Sequence, residues 1–156
     1  MSLMGKVCIV TGGNSGIGRS VSLGFAKEGA KVVVVGRTPA TLQAVAREIE
    51  ALGGTVDTFA LDVGDYEAVQ SMAKAVLDKY GRVDVLVNSA GGGSLRKRTL
   101  TTTPEDMKRV LDTNLLGAVY CTQAVLPSML EAKQGTIINV SSGASRNPGL
   151  LGGMIY

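Results

Sequence analysis

Apolar residues recur along this chain in two alternating patterns. Short unbroken runs lie at Lys6–Val10, Lys31–Arg37, Val56–Leu61, Val83–Val87 and Thr136–Val140. Between them, apolar positions repeat every three or four residues: Ile17, Val21 and Phe25; then Leu42, Val45, Ala46, Ile49 and Leu52; then Val69, Met72, Ala73, Val76, Leu77 and Tyr80. The runs predict strands and the periodic stretches predict helices. Val32, Val33, Val34 and Val35 are consecutive, without alternation. A strand of that kind is covered on both faces, as in a parallel sheet.

The punctuation agrees with this division. Thr38-Pro39 supplies a helix N-cap and a proline at the first helical position. Gly53-Gly54 and Gly81 stop helices, and Asp65 opens one. Thr103-Pro104-Glu105-Asp106 reads as a capping box. A long helix is expected from there to about Ala132, with Met107, Val110, Leu111, Leu115 and Ala118 facing inward and Pro127 bending it or ending its first part. Residues 91–102 and 143–156 read as glycine-containing loops.

Strands thus alternate with helices throughout, which predicts an α/β fold of a single domain over 1–156, a doubly wound parallel sheet. Ligands of such sheets bind beyond the carboxyl ends of the strands. Asn14, Arg37, Asp62, Asn88 and Ser142 all fall just past predicted strand ends. Each alone could be a solvated loop residue; together on one rim they predict a site.

The loop after the first strand is Thr11-Gly12-Gly13-Asn14-Ser15-Gly16-Ile17-Gly18. Glycine lets backbone approach a ligand closely, and a helix start offers N–H groups and partial positive charge to a pyrophosphate. The spacing is not the common GxGxxG, and no Gly-Lys-Ser/Thr follows, so a nucleoside-triphosphate P-loop is excluded. The bland alternative is a turn that merely packs helix on strand.

Composition narrows the classes. The sequence has no His, which excludes a Ser-His-Asp system and His-based zinc sites, so no metal is expected. Net charge is +3 with mixed signs and there is no Trp, which argues against nucleic acid. No apolar run approaches the ~20 residues that span a membrane, and no secretory leader is expected. Cys8 and Cys121 lie in apolar runs and read as buried reduced thiols of a cytoplasmic protein.

The motifs together resemble the short-chain dehydrogenase/reductase superfamily. Thr11-Gly12-x-x-x-Gly16-Ile17-Gly18 is similar to its cofactor loop, and Asp62-Val63 to its adenine-side motif. Asn88-Ser89-Ala90-Gly91 is similar to its Asn-Asn-Ala-Gly motif, with Ser89 in place of the second Asn. Asn114 stands where the family has a helical Asn, and Ser142 and Tyr156 match its catalytic Ser and Tyr, one residue further apart than usual. The resemblance implies a Rossmann-like sheet whose C-terminal part lies beyond Tyr156, where the family places a Lys four positions on. The 156 residues alone are therefore expected to transfer little hydride.

The resemblance also implies roles. Gly12, Asn14, Ser15, Gly16, Ile17, Gly18 and Gly91 would bound the cofactor. Asp62 would contact adenine, Val63 and Ala90 would line its slot, and Asn88 would help position the ribose. Tyr156 would act as acid and base, and Ser142 would bind the oxygen of a small carbonyl or alcohol substrate, as in 3-oxoacyl reductases. A phenol of pKa ~10 needs about 4 kcal/mol of phenolate stabilisation to titrate near neutrality. Asn114 either holds a water in the proton relay or is a core Asn satisfied by backbone. Ser141 reads as a strand-end residue. Arg37, with Gly36 before it, replaces the acidic residue of NAD-binding relatives, so NADP(H) is expected over NAD(H). Arg37 stacked on adenine or facing solvent is the alternative. Arg96-Lys97-Arg98 reads as a solvated charge run, with an acidic acyl carrier as the other reading. The resemblance further implies a homo-oligomer, since relatives usually form homotetramers through the long helix that carries Asn114 and a helix beyond Tyr156. The competing function is a catalytically dead nucleotide-binding fragment or a redox-sensing module.

Overall fold

The computed structural model describes residues 3–92 and 99–143. In chain order the elements are β1 Val7–Thr11, α1 Gly16–Lys27, β2 Lys31–Gly36, α2 Pro39–Ala51, β3 Thr55–Ala60 and α3 Tyr66–Tyr80. Then come β4 Val85–Asn88, α4 Pro104–Leu111, a π-helical turn Asp112–Leu116, α5 Gly117–Glu131 and β5 Thr136–Asn139. The strands form one parallel sheet in the order β3-β2-β1-β4-β5. The chain runs outward from β1 to β3, then crosses back to β4. The order therefore reverses between β1 and β4, where doubly wound sheets leave a crevice.

Both faces of the central strands are covered, as the valine run implies. Val33 and Val35, with Val7 and Ile9, meet Val69 and Met72 of α3 and Cys121 and Val125 of α5. Val32 and Val34, with Cys8 and Val10, meet Ala26 of α1 and Leu42, Val45 and Ile49 of α2. Successive side chains leave opposite faces of a strand, so one run feeds two cores. Burial pushes the thiols of Cys8 and Cys121 up to about 12, with the Asp84 charge adding to the shift at Cys8. Neither is a thiolate near neutrality, and a redox-sensing role gains no support from them.

Several boundaries behave as expected. Asp65 caps α3 by accepting from Ala68 N, and Gly81 ends it at φ +72°. Thr103 and Asp106 form both bonds of the capping box. Thr38 occupies the N-cap of α2, but its side chain makes no cap bond.

The long helix departs from expectation. Of the five residues expected inward, only Val110 is buried; Met107, Leu111 and Leu115 are exposed and Ala118 is half-buried. The buried set beyond it is Gly117, Cys121, Val125 and Met129. The π-helical turn inserts a residue into the helical repeat and rotates the inward face after it, which accounts for Leu115 and Ala118 but not for Met107 and Leu111, which precede it. Pro127 does not end the helix, which continues to Glu131. The interruption sits at 112–116 instead.

Candidate functional site

The carboxyl ends of four strands open onto a cleft of about 320 Å³. The loop after β1 contributes Gly12, Asn14 and Ser15. The end of β2 contributes Gly36 and Arg37, and the start of α2 contributes Thr38 and Thr41. Leu61, Asp62 and Val63 follow β3, Ala90 and Gly91 follow β4, and Thr113 comes from the π-helical turn. Parts of three of the sequence motifs, Gly12 with Asn14 and Ser15, Asp62-Val63, and Ala90-Gly91, thus meet at one crevice.

The loop is built for close approach. Gly12 has φ +66°, and a Cβ there would lie 2.9 Å from Ala90 Cα and from the Ser89 carbonyl oxygen. A side chain would push the β1 loop off the β4 loop. Those loops are tied by Thr11, whose Oγ1 accepts from Ser89 N at 3.1 Å and from Ala90 N at 3.0 Å. Its hydroxyl donates to Val87 O at 3.4 Å. Ser15 sits at the N-cap of α1 without a side-chain cap bond. The first-turn N–H groups of α1 therefore lack the usual side-chain acceptor, which suits an anion at the cleft.

Other expected site residues stand differently. Gly18 is buried, and its absent side chain makes room for Gly12 O, so it serves packing of the loop. Gly16 at φ +50° is open, and Ile17 is exposed at the helix start. Neither lines the cleft. Arg37 Nη1 lies 3.9 Å from an Asp62 carboxylate oxygen, with both side chains at the surface. Such an exposed pair is weak and leaves the guanidinium available.

Asn88 is not among the residues that line the cleft. Its amide does not face the cleft but donates to Asn139 Oδ1 at 2.9 Å, to Thr122 Oγ1 at 3.3 Å and to Ala118 O at 3.4 Å. Asn88 shares the strand face of Leu86, which α5 covers, so its side chain is directed inward. It joins β4 to β5 and α5 beneath the site.

Asn114 Oδ1 accepts from Gly92 N at 3.2 Å, which secures the loop after β4. Asn114 is half-buried beside that loop. Asn139 pairs with Asn88, and Val140 N donates to Asn88 O at 2.9 Å. Ser142, two residues on, therefore sits on the same sheet end as Ala90. Tyr156 and the Arg96-Lys97-Arg98 run lie outside the described residues. Thr41, Leu61 and Thr113 were not anticipated. Thr41 lies one helical turn from Thr38, the only signal that could have placed it.

A more open groove of about 370 Å³ adjoins the cleft at Asp62 and Thr113. Its Lys108 pairs with Asp112 at 2.6 Å and its Arg109 pairs with Asp106 at 3.2 Å. Among the described residues no group of three or more His, Cys, Asp or Glu could hold a metal, and no helix is long and apolar enough to cross a membrane.

A family model described as short chain dehydrogenase matches residues 6–156. The chain belongs to the short-chain dehydrogenase family. Its relatives include a 3-oxoacyl-(acyl-carrier-protein) reductase of Thermotoga maritima, 42% identical over 152 residues. That match covers 96% of this chain and 61% of the relative. A 1,6-dihydroxycyclohexa-2,4-diene-1-carboxylate dehydrogenase of Acinetobacter baylyi is 40% identical over 141 residues, 90% of this chain and 54% of the relative. Among solved structures, a metagenomic short-chain oxidoreductase in complex with NADP has TM-score 0.88 at 39% identity, over 92% of this chain and 64% of that one. An NAD+-bound xylitol dehydrogenase has TM-score 0.89 at 29% identity, over 94% and 56%. This short-chain dehydrogenase chain thus spans little more than half to three-fifths of the proteins it matches.

Proposed function

We propose that the cleft holds the adenosine half of NADP(H), and that the chain serves an oxidoreductase acting on a carbonyl or alcohol compound such as a 3-oxoacyl thioester or another ketone. One observation carries the cofactor assignment. β2 ends in Gly36, so no carboxylate is offered to a ribose 2′-hydroxyl there, and the next side chain is the exposed guanidinium of Arg37. A guanidinium binds a phosphate bidentately, whereas a carboxylate repels it. The NADP-bound relative supports this choice, and the NAD+-bound one marks the competing outcome.

The remaining roles rest on the family resemblance of these residues. Gly12 and the start of α1 would face the diphosphate, and Val63 and Ala90 would flank adenine with Asp62 at its polar edge. When bound, the nicotinamide supplies or accepts the hydride. Ser142 would hold the substrate oxygen by a hydrogen bond, and Tyr156 would give or take the proton there. Asn114, already securing the loop after β4, would keep its amide nitrogen for a water in that relay.

Fluorescence titration tests the cofactor assignment. The chain should bind NADPH more tightly than NADH. Arg37→Asp should reverse the preference, weakening NADPH by roughly tenfold or more, the scale of a lost charge-assisted pair of hydrogen bonds. An unchanged affinity ratio refutes the role of Arg37.

Exposed apolar residues at the end of α4, in the π-helical turn and on α5 support self-association. Leu111, Leu115, Val119, Leu126 and Leu130 all stand exposed. Exposed apolar residues repeated along one helical stretch favour an interface, here one between copies. Sedimentation velocity should show a species larger than a monomer, and Leu115→Lys should shift it toward monomer. A monomer at tens of micromolar contradicts the assignment.

A further inference from the structure

The contact between the glycine loop and the end of β2 has a consequence for cofactor choice. A Cβ built on Gly36 would lie 2.3 Å from Asn14 Oδ1, 2.7 Å from its Cγ and 3.2 Å from its Nδ2. Real Cβ atoms do not come within 3.0 Å of a neighbour, so any side chain at 36 must displace Asn14. Asn14 is not loose. Its Nδ2 donates to Thr41 Oγ1 at 2.7 Å, and the Thr41 hydroxyl donates on to Thr38 O at 2.9 Å. The relay commits the amide nitrogen and turns the oxygen toward Gly36. All four residues line the cleft.

We infer that Asn14, held by Thr41, is a second specificity-determining residue. It fills the space into which an acidic side chain at the end of β2 would project, and so keeps that strand end free of a carboxylate. This rests on the NADP(H) reading of the cleft. In that reading selection has two parts. Arg37 attracts a 2′-phosphate, and Asn14 excludes the group that would instead grip a 2′-hydroxyl. Asn14 acts through position 36; it is a positioning residue.

A double-mutant cycle separates the two claims. NADPH and NADH affinities are measured by fluorescence titration for the wild type, Gly36→Asp, Asn14→Ala and the double variant. Gly36→Asp alone should lose NADPH and gain little NADH, because its carboxylate competes with the Asn14 amide for one place. Adding Asn14→Ala should then tighten NADH about fivefold to tenfold relative to Gly36→Asp, the scale of one or two hydrogen bonds. Equal NADH affinity in Gly36→Asp and the double variant overturns the inference.

Melting temperatures without nucleotide read the steric half by itself. Gly36→Ala should melt roughly 3 °C lower in the wild-type background and no lower in the Asn14→Ala background. An equal drop in both backgrounds also overturns the inference. A wild type that prefers NADH, with the melting cycle as expected, removes the cofactor reading and leaves the Asn14–Gly36 contact standing.

Discussion

Gly18→Ala is expected to weaken NADPH binding by roughly ten- to hundredfold, the range of an overpacking penalty of about 1–3 kcal/mol. A Cβ on Gly18 would lie 2.3 Å from Gly12 O, 2.7 Å from Gly12 C and 3.1 Å from Gly13 Cα. All three are backbone atoms, so no rotamer change relieves the overlap. The loop must lift from the helix, and the loop carries Gly12, Asn14 and Ser15 of the cleft. Helix propensity works the other way, since Ala is better than Gly inside a helix by about 1 kcal/mol. The collision outweighs that gain because Gly18 is fully packed. Gly16→Ala is the control. Its Cβ would enter open space, and the penalty is limited to the left-handed backbone at φ +50°, about 1–2 kcal/mol. Isothermal titration of both variants with NADPH decides the matter. Equal affinity of Gly18→Ala and wild type would show that the loop does not set the cleft.

The largest effect on stability is expected at Asp84, ahead of β4. Its side chain is buried, yet it carries a charge. Oδ2 accepts from Val7 N at 2.9 Å, and Oδ1 accepts from Lys6 Nζ at 3.1 Å and from the Arg82 guanidinium. Its own backbone N donates to Val7 O, and its carbonyl accepts from Thr136 N, both at 2.9 Å. One residue therefore pins β1, β4 and β5 at the end of the sheet opposite the cleft. Asp84→Ala leaves Val7 N buried without its acceptor and two cations without their partner. Lys6 and Arg82 are partly exposed and can turn to water, which lowers the loss below that of a fully buried pair. A destabilisation of about 2–3 kcal/mol is expected, or a fall in melting temperature of roughly 4–12 °C. Chemical denaturation should show it as a lower midpoint at unchanged m-value.

Asp84 also gives the stability a direction in pH. Burial tends to raise its carboxyl pKa, but the Val7 N–H, Arg82 and Lys6 together hold it below the ordinary value of 3.8. Burial likewise opposes, and Lys79 and Tyr80 bonds outweigh it, at Asp57, whose pKa is also lowered. A depressed folded pKa means that the unfolded chain binds the proton first. The contribution is therefore complete above about pH 4 and is lost as pH falls through the folded pKa. Wild-type stability should drop on acidification below that point. Asp84→Asn should flatten the drop in part, with Asp57 accounting for what remains. Denaturation midpoints at pH 3 and pH 6 measure it, and identical pH slopes in both proteins would count against the assignment.

How much of this was legible in the chain follows from range. The alternation of apolar runs with 3.6-residue periods carried the α/β class, since strand and helix each impose a local repeat that any window displays. The valine run showed that β2 is buried on both faces, because a strand with one wet face would alternate. Thr103 with Asp106, and Asp65 with Ala68, were readable because caps close within four residues. The glycine loop and the Asp62-Val63 and Ser89-Ala90-Gly91 turns were placed at strand ends by the same local reading.

The rest depends on residues far apart in sequence. The direction of the Asn88 amide was not legible because its strand parity, and the cover of α5 over that face, fix it only once β4 lies between β1 and β5. The inward face of the long helix was mis-phased at Leu115 and Ala118 because the π-helical turn at Asp112–Leu116 breaks the repeat there, and nothing local announces it; Met107 and Leu111 precede that turn, on a helix that buries only Asp106 and Val110. The chain by itself determined which segments become strands, helices and turns, because those preferences act between near neighbours. Only the packed sheet decided that Asn14 meets Gly36 and that Asp84 binds three strands, because such contacts arise when parallel crossovers bring distant strand ends side by side.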